Sequence, residues 1–175
     1  MSKSVPTKII LTGFMGTGKT AVGQELARRL GYTFVDTDEM VEKDQKKSIG
    51  EIFEKEGEEA FRSYEKQMVR KSLDQEKVVI ATGGGAVTDP ENLKLMKERC
   101  FLIGLAASPE VILERVSRTG ARPLLKTKDQ LETIKNLLSK RSPYYREAHR
   151  IIDTSGKGVM ETVEEILKTF GNHTR

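Results

Sequence analysis

Gly13-Phe14-Met15-Gly16-Thr17-Gly18-Lys19-Thr20 decides how this chain is read. The octapeptide fits G-x-x-x-x-G-K-[ST] and follows an apolar run at residues 8–12 (KIILT). It opens a segment in which Ala21, Val22, Leu26, Ala27 and Leu30 share one helical face. Strand, glycine loop and helix together are the context that the motif requires. Glycines let backbone amides turn inward around phosphates, and the start of the helix adds its positive end. Lys19 then bridges terminal phosphate oxygens and the Thr20 hydroxyl is a magnesium ligand. Gly16, Thr17, Gly18, Lys19, Thr20 and Ala21 are the expected ATP contacts. The motif leaves the second substrate open.

Working outward, four more short runs rich in β-branched residues read as buried strands: 33–36 (TFVD), 78–82 (VVIAT), 101–105 (FLIGL) and 150–153 (RIID). Helical spacing fills the gaps between them, as with Phe61, Tyr64, Met68 and Val69. This alternation predicts an α/β fold of three layers, a five-stranded parallel sheet covered by helices on both faces. A length of 175 residues suits one domain spanning the chain. Ser48 and Glu51 have capping-box spacing, so the insertion after the second strand is expected to hold several helices. Residues 36–65 are the candidate acceptor-binding subregion. Residues 115–128 (RVSRTGARPLLKTK) carry Gly120, Pro123 and many cations and read as an exposed loop between helices. A mobile lid over residues 114–128 is expected there, and residues 171–175 read as a frayed end.

The acceptor side is sought at the carboxyl ends of the strands. Asp36 and Asp38 end the second run: one carboxylate could hold magnesium, directly or through water, and the other could orient or deprotonate a hydroxyl. Helix capping by Asp38 competes with that role. Two adjacent carboxylates would repel a phosphate acceptor, so an alcohol is inferred. Gly83, Gly84 and Gly85 end the third run and permit close approach of a ligand to the main chain, although a flexible turn is the plainer alternative. Arg62, with Glu58 and Glu65 at pairing distance, and Arg141 read either as surface ion pairs or as bidentate partners of an acceptor carboxylate. Arg122 is placed to neutralise transferred-phosphoryl charge, or is an ordinary loop cation.

Composition excludes other classes. No stretch approaches the ~18 apolar residues of a membrane helix. The net charge of +4 comes from 30 basic and 26 acidic residues, interleaved along helical patterns and not gathered into a nucleic-acid stripe. The first residues lack the apolar core of a signal peptide, and Cys100 is the single cysteine, so a cytoplasmic address without disulfides is expected. His149 and His173 have no partner at metal-ligand spacing.

GFMGTGKT, FVDTD, EEAFRSYE, ATGGGAV, ARPLL and KRSPYYR occur in the order and spacing of the shikimate kinase family, and the chain resembles that family over nearly its whole length. The resemblance implies a P-loop kinase fold and transfer of the ATP γ-phosphoryl group to the 3-hydroxyl of shikimate, on the way to aromatic amino acids. It implies that Asp38 binds the shikimate hydroxyls and serves as base, that Asp36 supports Mg2+, and that Arg62 and Arg141 hold the carboxylate. It also implies that Gly84 contacts shikimate through its backbone, that Phe53 and Phe61 wall the pocket, and that Lys19 and Arg122 contact the transferred phosphate. Arg118 and Lys157 are its candidates beside adenine. A monomer is expected. Rival readings are a kinase for another hydroxy acid such as gluconate, and a nucleotide-binding module without turnover.

Overall fold

All five apolar runs form strands. The structure, a computed structural model, describes residues 5–119 and 129–171. The strands are β1 (Lys8–Gly13), β2 (Thr33–Asp36), β3 (Val78–Ala81), β4 (Phe101–Ala106) and β5 (Arg150–Asp153). They pair in parallel in the order β2-β3-β1-β4-β5. Among the described residues eight α-helices connect and cover them: α1 (Lys19–Leu30), α2 (Thr37–Gln45), α3 (Ile49–Lys55), α4 (Glu58–Ser72), α5 (Pro90–Arg99), α6 (Pro109–Thr119), α7 (Gln130–Tyr145) and α8 (Val159–Gly171).

The central strand shows why the sheet is covered on both faces. Successive side chains alternate sides, so Ile9 and Leu11 pack with Val22, Leu26, Val163 and Ile166 of α1 and α8. Ile10, between them, joins Val69, Leu73, Met96 and Leu102 on the opposite face. The expectation of five buried strands holds for β1, β3 and most of β4 and fails at the two edges. An edge strand has one neighbour and less cover, so β2 is half-buried and Ile151 of β5 is 51% exposed.

The insertion is helical, as expected, and has its own small core. Val41, Ile52, Phe61 and Met68 are buried together, with Phe53 and Tyr64 against them. Each fully buried aliphatic or aromatic side chain contributes about 1.5–3 kcal/mol, enough to hold three short helices at one end of the sheet. The capping box forms: the Ser48 hydroxyl accepts from the Glu51 amide, and Glu51 accepts from the Ser48 amide. The first residues of the expected loop at 115–128 are helical, as part of α6. Ile112 and Val116, four residues apart, lie against the glycine loop, and that apolar contact carries α6 through Thr119. The rest of the expected lid, residues 120–128 with Arg122, lies outside the described residues, as do residues 172–175.

Candidate active site

The loop between β1 and α1 has the conformation its composition demands. Gly13, Gly16 and Gly18 have φ of 145°, 77° and 97°, values that L side chains rarely adopt. A side chain at Gly13 would also collide with the Leu105 carbonyl. The Lys19 ammonium donates to the Gly13 and Phe14 carbonyls at 2.8 and 2.9 Å, which holds it over the loop. Gly16, Gly18, Lys19, Thr20 and Ala21 line one cleft with Asp36, Asp38 and Arg115. Thr17 differs from its neighbours. It is 1% exposed, and its amide and hydroxyl are both directed at the Phe14 carbonyl, so its side chain braces the loop from behind.

Capping falls to Asp36. One of its carboxylate oxygens accepts from the amides of Asp38 and Glu39 at 2.9 and 3.3 Å, and the other accepts from the Thr20 hydroxyl at 3.1 Å. The first turn of α2 therefore starts on Asp36, and Asp38 sits inside the helix with its carboxylate turned toward the sheet. Asp38 borders two adjoining cavities. One is the phosphate cleft; the other is lined by Met15, Ile49, Phe53, Phe61, Arg62, Glu65, Arg141 and the three glycines. Met15, Gly83 and Gly84 border both as well.

The glycine triplet is explained by space. None of the three has positive φ. A Cβ on Gly83 would stand 2.7 Å from a carboxylate oxygen of Asp38 and of Glu65, and one on Gly85 would stand 2.5 Å from the Arg62 guanidinium. On Gly84 it would be 3.4 Å from Arg141 and 3.3 Å from the Gly13 carbonyl. Each position lets a different charged side chain, or the P-loop itself, lie against bare main chain.

Ion pairing and site membership, opposed in the sequence, coincide at Arg62. Its guanidinium donates to Glu65 at 2.8 Å and Glu58 at 3.3 Å while lining the second cavity. Burial works against its charge, but Glu65 and Glu58 outweigh that and raise its pKa. Arg141 is no surface residue: it is 9% exposed and lies 5.7 Å from the centre of the Phe14 ring. Glu65 was not singled out by the sequence. It is 1% exposed, and one of its carboxylate oxygens is buried with no hydrogen-bond partner among the described residues. Burial pushes its carboxyl above the ordinary range, Arg62 pulls it back by charge and hydrogen bonding, and Asp38 raises it further. A signal was present, since Phe61, Glu65, Met68 and Ser72 recur at helical spacing and all are buried.

Two cations are not brought to either cavity. Arg118 pairs with Glu114 on exposed α6, and Lys157 pairs with Glu165 on α8 at 2.6 Å. Arg115 does line the phosphate cleft, donating to the Gly16 carbonyl at 3.2 Å and to Thr154 at 2.9 and 2.8 Å. It ties the P-loop to the segment after β5.

The chain that carries this P-loop and pocket is similar to known proteins. The family model for shikimate kinase matches residues 15–170. The chain belongs to the shikimate kinase family. Within the family it is 48% identical over 162 residues to a shikimate kinase of Caldanaerobacter subterraneus subsp. tengcongensis, covering 93% of this chain and 95% of that one. It is 46% identical over 168 residues to the one from Thermus thermophilus, with 95% and 91% covered. Among solved structures, a shikimate kinase from Acinetobacter baumannii in complex with shikimate superposes with a TM-score of 0.91 at 36% identity, covering 95% of this chain and 93% of that one. A gluconokinase from Sinorhizobium meliloti, 16% identical with 97% and 94% covered and a TM-score of 0.60, shares the fold alone.

Proposed function

We propose that this kinase transfers the γ-phosphoryl group of ATP to the 3-hydroxyl of shikimate, giving ADP and shikimate 3-phosphate on the route to aromatic amino acids. The observation that carries the reading is Asp38 at the junction of the two cavities, with the P-loop on one side and the two guanidiniums on the other. A ring carboxylate seated on Arg62 and Arg141, with the Gly84 main chain and the Phe53 and Phe61 rings as walls, leaves its hydroxyls toward Asp38. Asp38 orients the attacking hydroxyl and accepts its proton; where the transition state is loose, orientation is the larger part. Lys19 and Arg122 stabilise charge on the transferred group.

The Thr20 hydroxyl and Asp36 carboxylate, 3.1 Å apart at the phosphate cleft, form a hard oxygen pair suited to Mg2+. Among the described residues no three His, Cys, Asp or Glu side chains cluster as a cage, which fits an ion held mainly by phosphate oxygens and water. Bound there, Mg2+ supplies charge neutralisation. We further infer a single-domain, cytoplasmic monomer that engages neither nucleic acid nor membrane; no helix among the described residues is long and apolar enough to cross a bilayer.

The test is ADP release by purified protein with ATP and Mg2+, with no acceptor, shikimate, gluconate or a panel of nucleoside monophosphates. Stimulation by shikimate alone is expected. Stimulation by another acceptor, or by none while ATP still binds, sinks the assignment.

A further inference from the structure

Tyr145, the last residue of α7, reaches the glycine turn and donates its hydroxyl to the Gly84 carbonyl at 2.6 Å. Arg141 lies four residues earlier on the same helix, hence on the same face. Its guanidinium is close enough to the Tyr145 hydroxyl to act on it by charge. One atom of Arg141 also stands 3.4 Å from where a Gly84 side chain would begin. A single hydroxyl therefore meets the main chain at Gly84, the point beside which the Arg141 guanidinium lies in the wall of the acceptor pocket.

The ring is held where it can do this. It packs against two apolar clusters at once, one around Leu102 and Met96 and the other around Phe14 and Ile134. Burial pushes the phenol up to about 12, so it keeps its proton, and its role as donor, across the physiological range. What it holds needs holding: a Gly-Gly peptide has little intrinsic preference for one orientation. A rigid phenol ring fixes a partner with only two torsions to immobilise.

We propose that Tyr145 is a positioning residue, whose hydroxyl anchors the Gly84–Gly85 peptide to the helix bearing Arg141 and so sets the spacing between main-chain wall and guanidinium that the acceptor must match. It acts through Gly84 and Arg141 and touches no reacting atom. The assignment rests on the acceptor pocket proposed above.

Tyr145→Phe keeps the ring and its packing and removes the hydroxyl. The expected result is an acceptor KM raised about tenfold, with kcat and the ATP KM within about twofold of the parent. In an Arg141→Lys background the same change adds less than about twofold, because the two act together. A second readout does not depend on the acceptor. In ligand-free protein, the Gly85 amide and Arg141 Nε resonances move in Tyr145→Phe while the Gly18 amide stays in place. An unchanged acceptor KM in a folded variant overturns the proposal, as does an equal rise in both KM values. Unmoved Gly85 and Arg141 resonances also overturn it. Were the parent enzyme inert toward shikimate, the acceptor assignment would fall, and the resonance shifts would still decide the Tyr145 tie.

Discussion

The phosphate cleft and the acceptor pocket adjoin, yet they are built on opposite plans. The cleft is made by one continuous stretch, residues 13–20, acting through backbone amides, three left-handed glycines and a helix start. The pocket gathers Asp38 from α2, Arg62 and Glu65 from α4, the glycine turn after β3 and Arg141 from α7, and it works with charged side chains. A loop of consecutive residues carries its geometry in its own torsions. A pocket drawn from several separate segments holds only while each segment stays docked, and the buried Val41-Ile52-Phe61-Met68 cluster lies behind it.

Substitutions can push the two plans apart. The largest effect is expected at their junction: Asp38→Asn lowers kcat by about 10²–10⁴ while calorimetry finds ATP affinity nearly unchanged. Parent-like turnover in a folded variant would remove Asp38 from the chemistry. Next, Arg141→Ala and Arg62→Ala raise the acceptor KM by about 10- to 100-fold through loss of a charge-assisted pair and leave the ATP KM alone. Steady-state kinetics with each substrate varied would show whether either arginine belongs to the surface instead. Glycine replacements then separate torsion from space. Gly13→Ala forces a side chain against the Leu105 carbonyl at φ 145° and lowers the Tm by on the order of 10 °C. Gly85→Ala meets only the mobile end of Arg62, so its Tm stays within a few degrees and the acceptor KM rises about fivefold. Equal Tm losses would erase the distinction.

The smallest effect concerns Glu65. Its carboxyl is raised in the folded protein, chiefly by burial. In the window from the ordinary carboxyl value up to the raised one, the native state binds more protons than the unfolded state, so stability falls as pH rises. Measured by thermal melts from pH 4 to 7, the parent loses a few degrees relative to Glu65→Gln. A pH-independent difference would mean that Glu65 is not held in this way.

The same contrast explains what could be read from the sequence. The P-loop, the five strands and the capping box at Ser48 were legible because each depends on neighbours within a few residues. Arg62 and Arg141 could be nominated but not placed, since a helical arginine near a glutamate looks alike on a surface and in a pocket. Arg141 is buried by Phe14, 127 positions away in the chain by the numbering. Capping, an alternative for Asp38 in the sequence, belongs to Asp36 because the helix starts two residues earlier than the apolar pattern from Met40 indicates. Glu65 went unread because burial of a charge contradicts its composition even where its spacing reveals it. Arg115 is hard to place from the sequence because it falls in a loop-like stretch whose first residues, 115–119, belong to α6.

The insertion's private cluster marks a seam in the fold. Helix α4 straddles two hydrophobic units: Phe61 and Met68 belong to the insertion, whereas Val69 and Leu73 belong to the sheet. The border falls between adjacent residues. The apolar side chains of the insertion before that border pack on one another, so another helical segment started by Asp36 could replace them provided that it keeps the contacts of Asp38, Arg62 and Glu65 with the glycine turn. Met68-Val69 is where a chimera with another kinase of this fold should be cut.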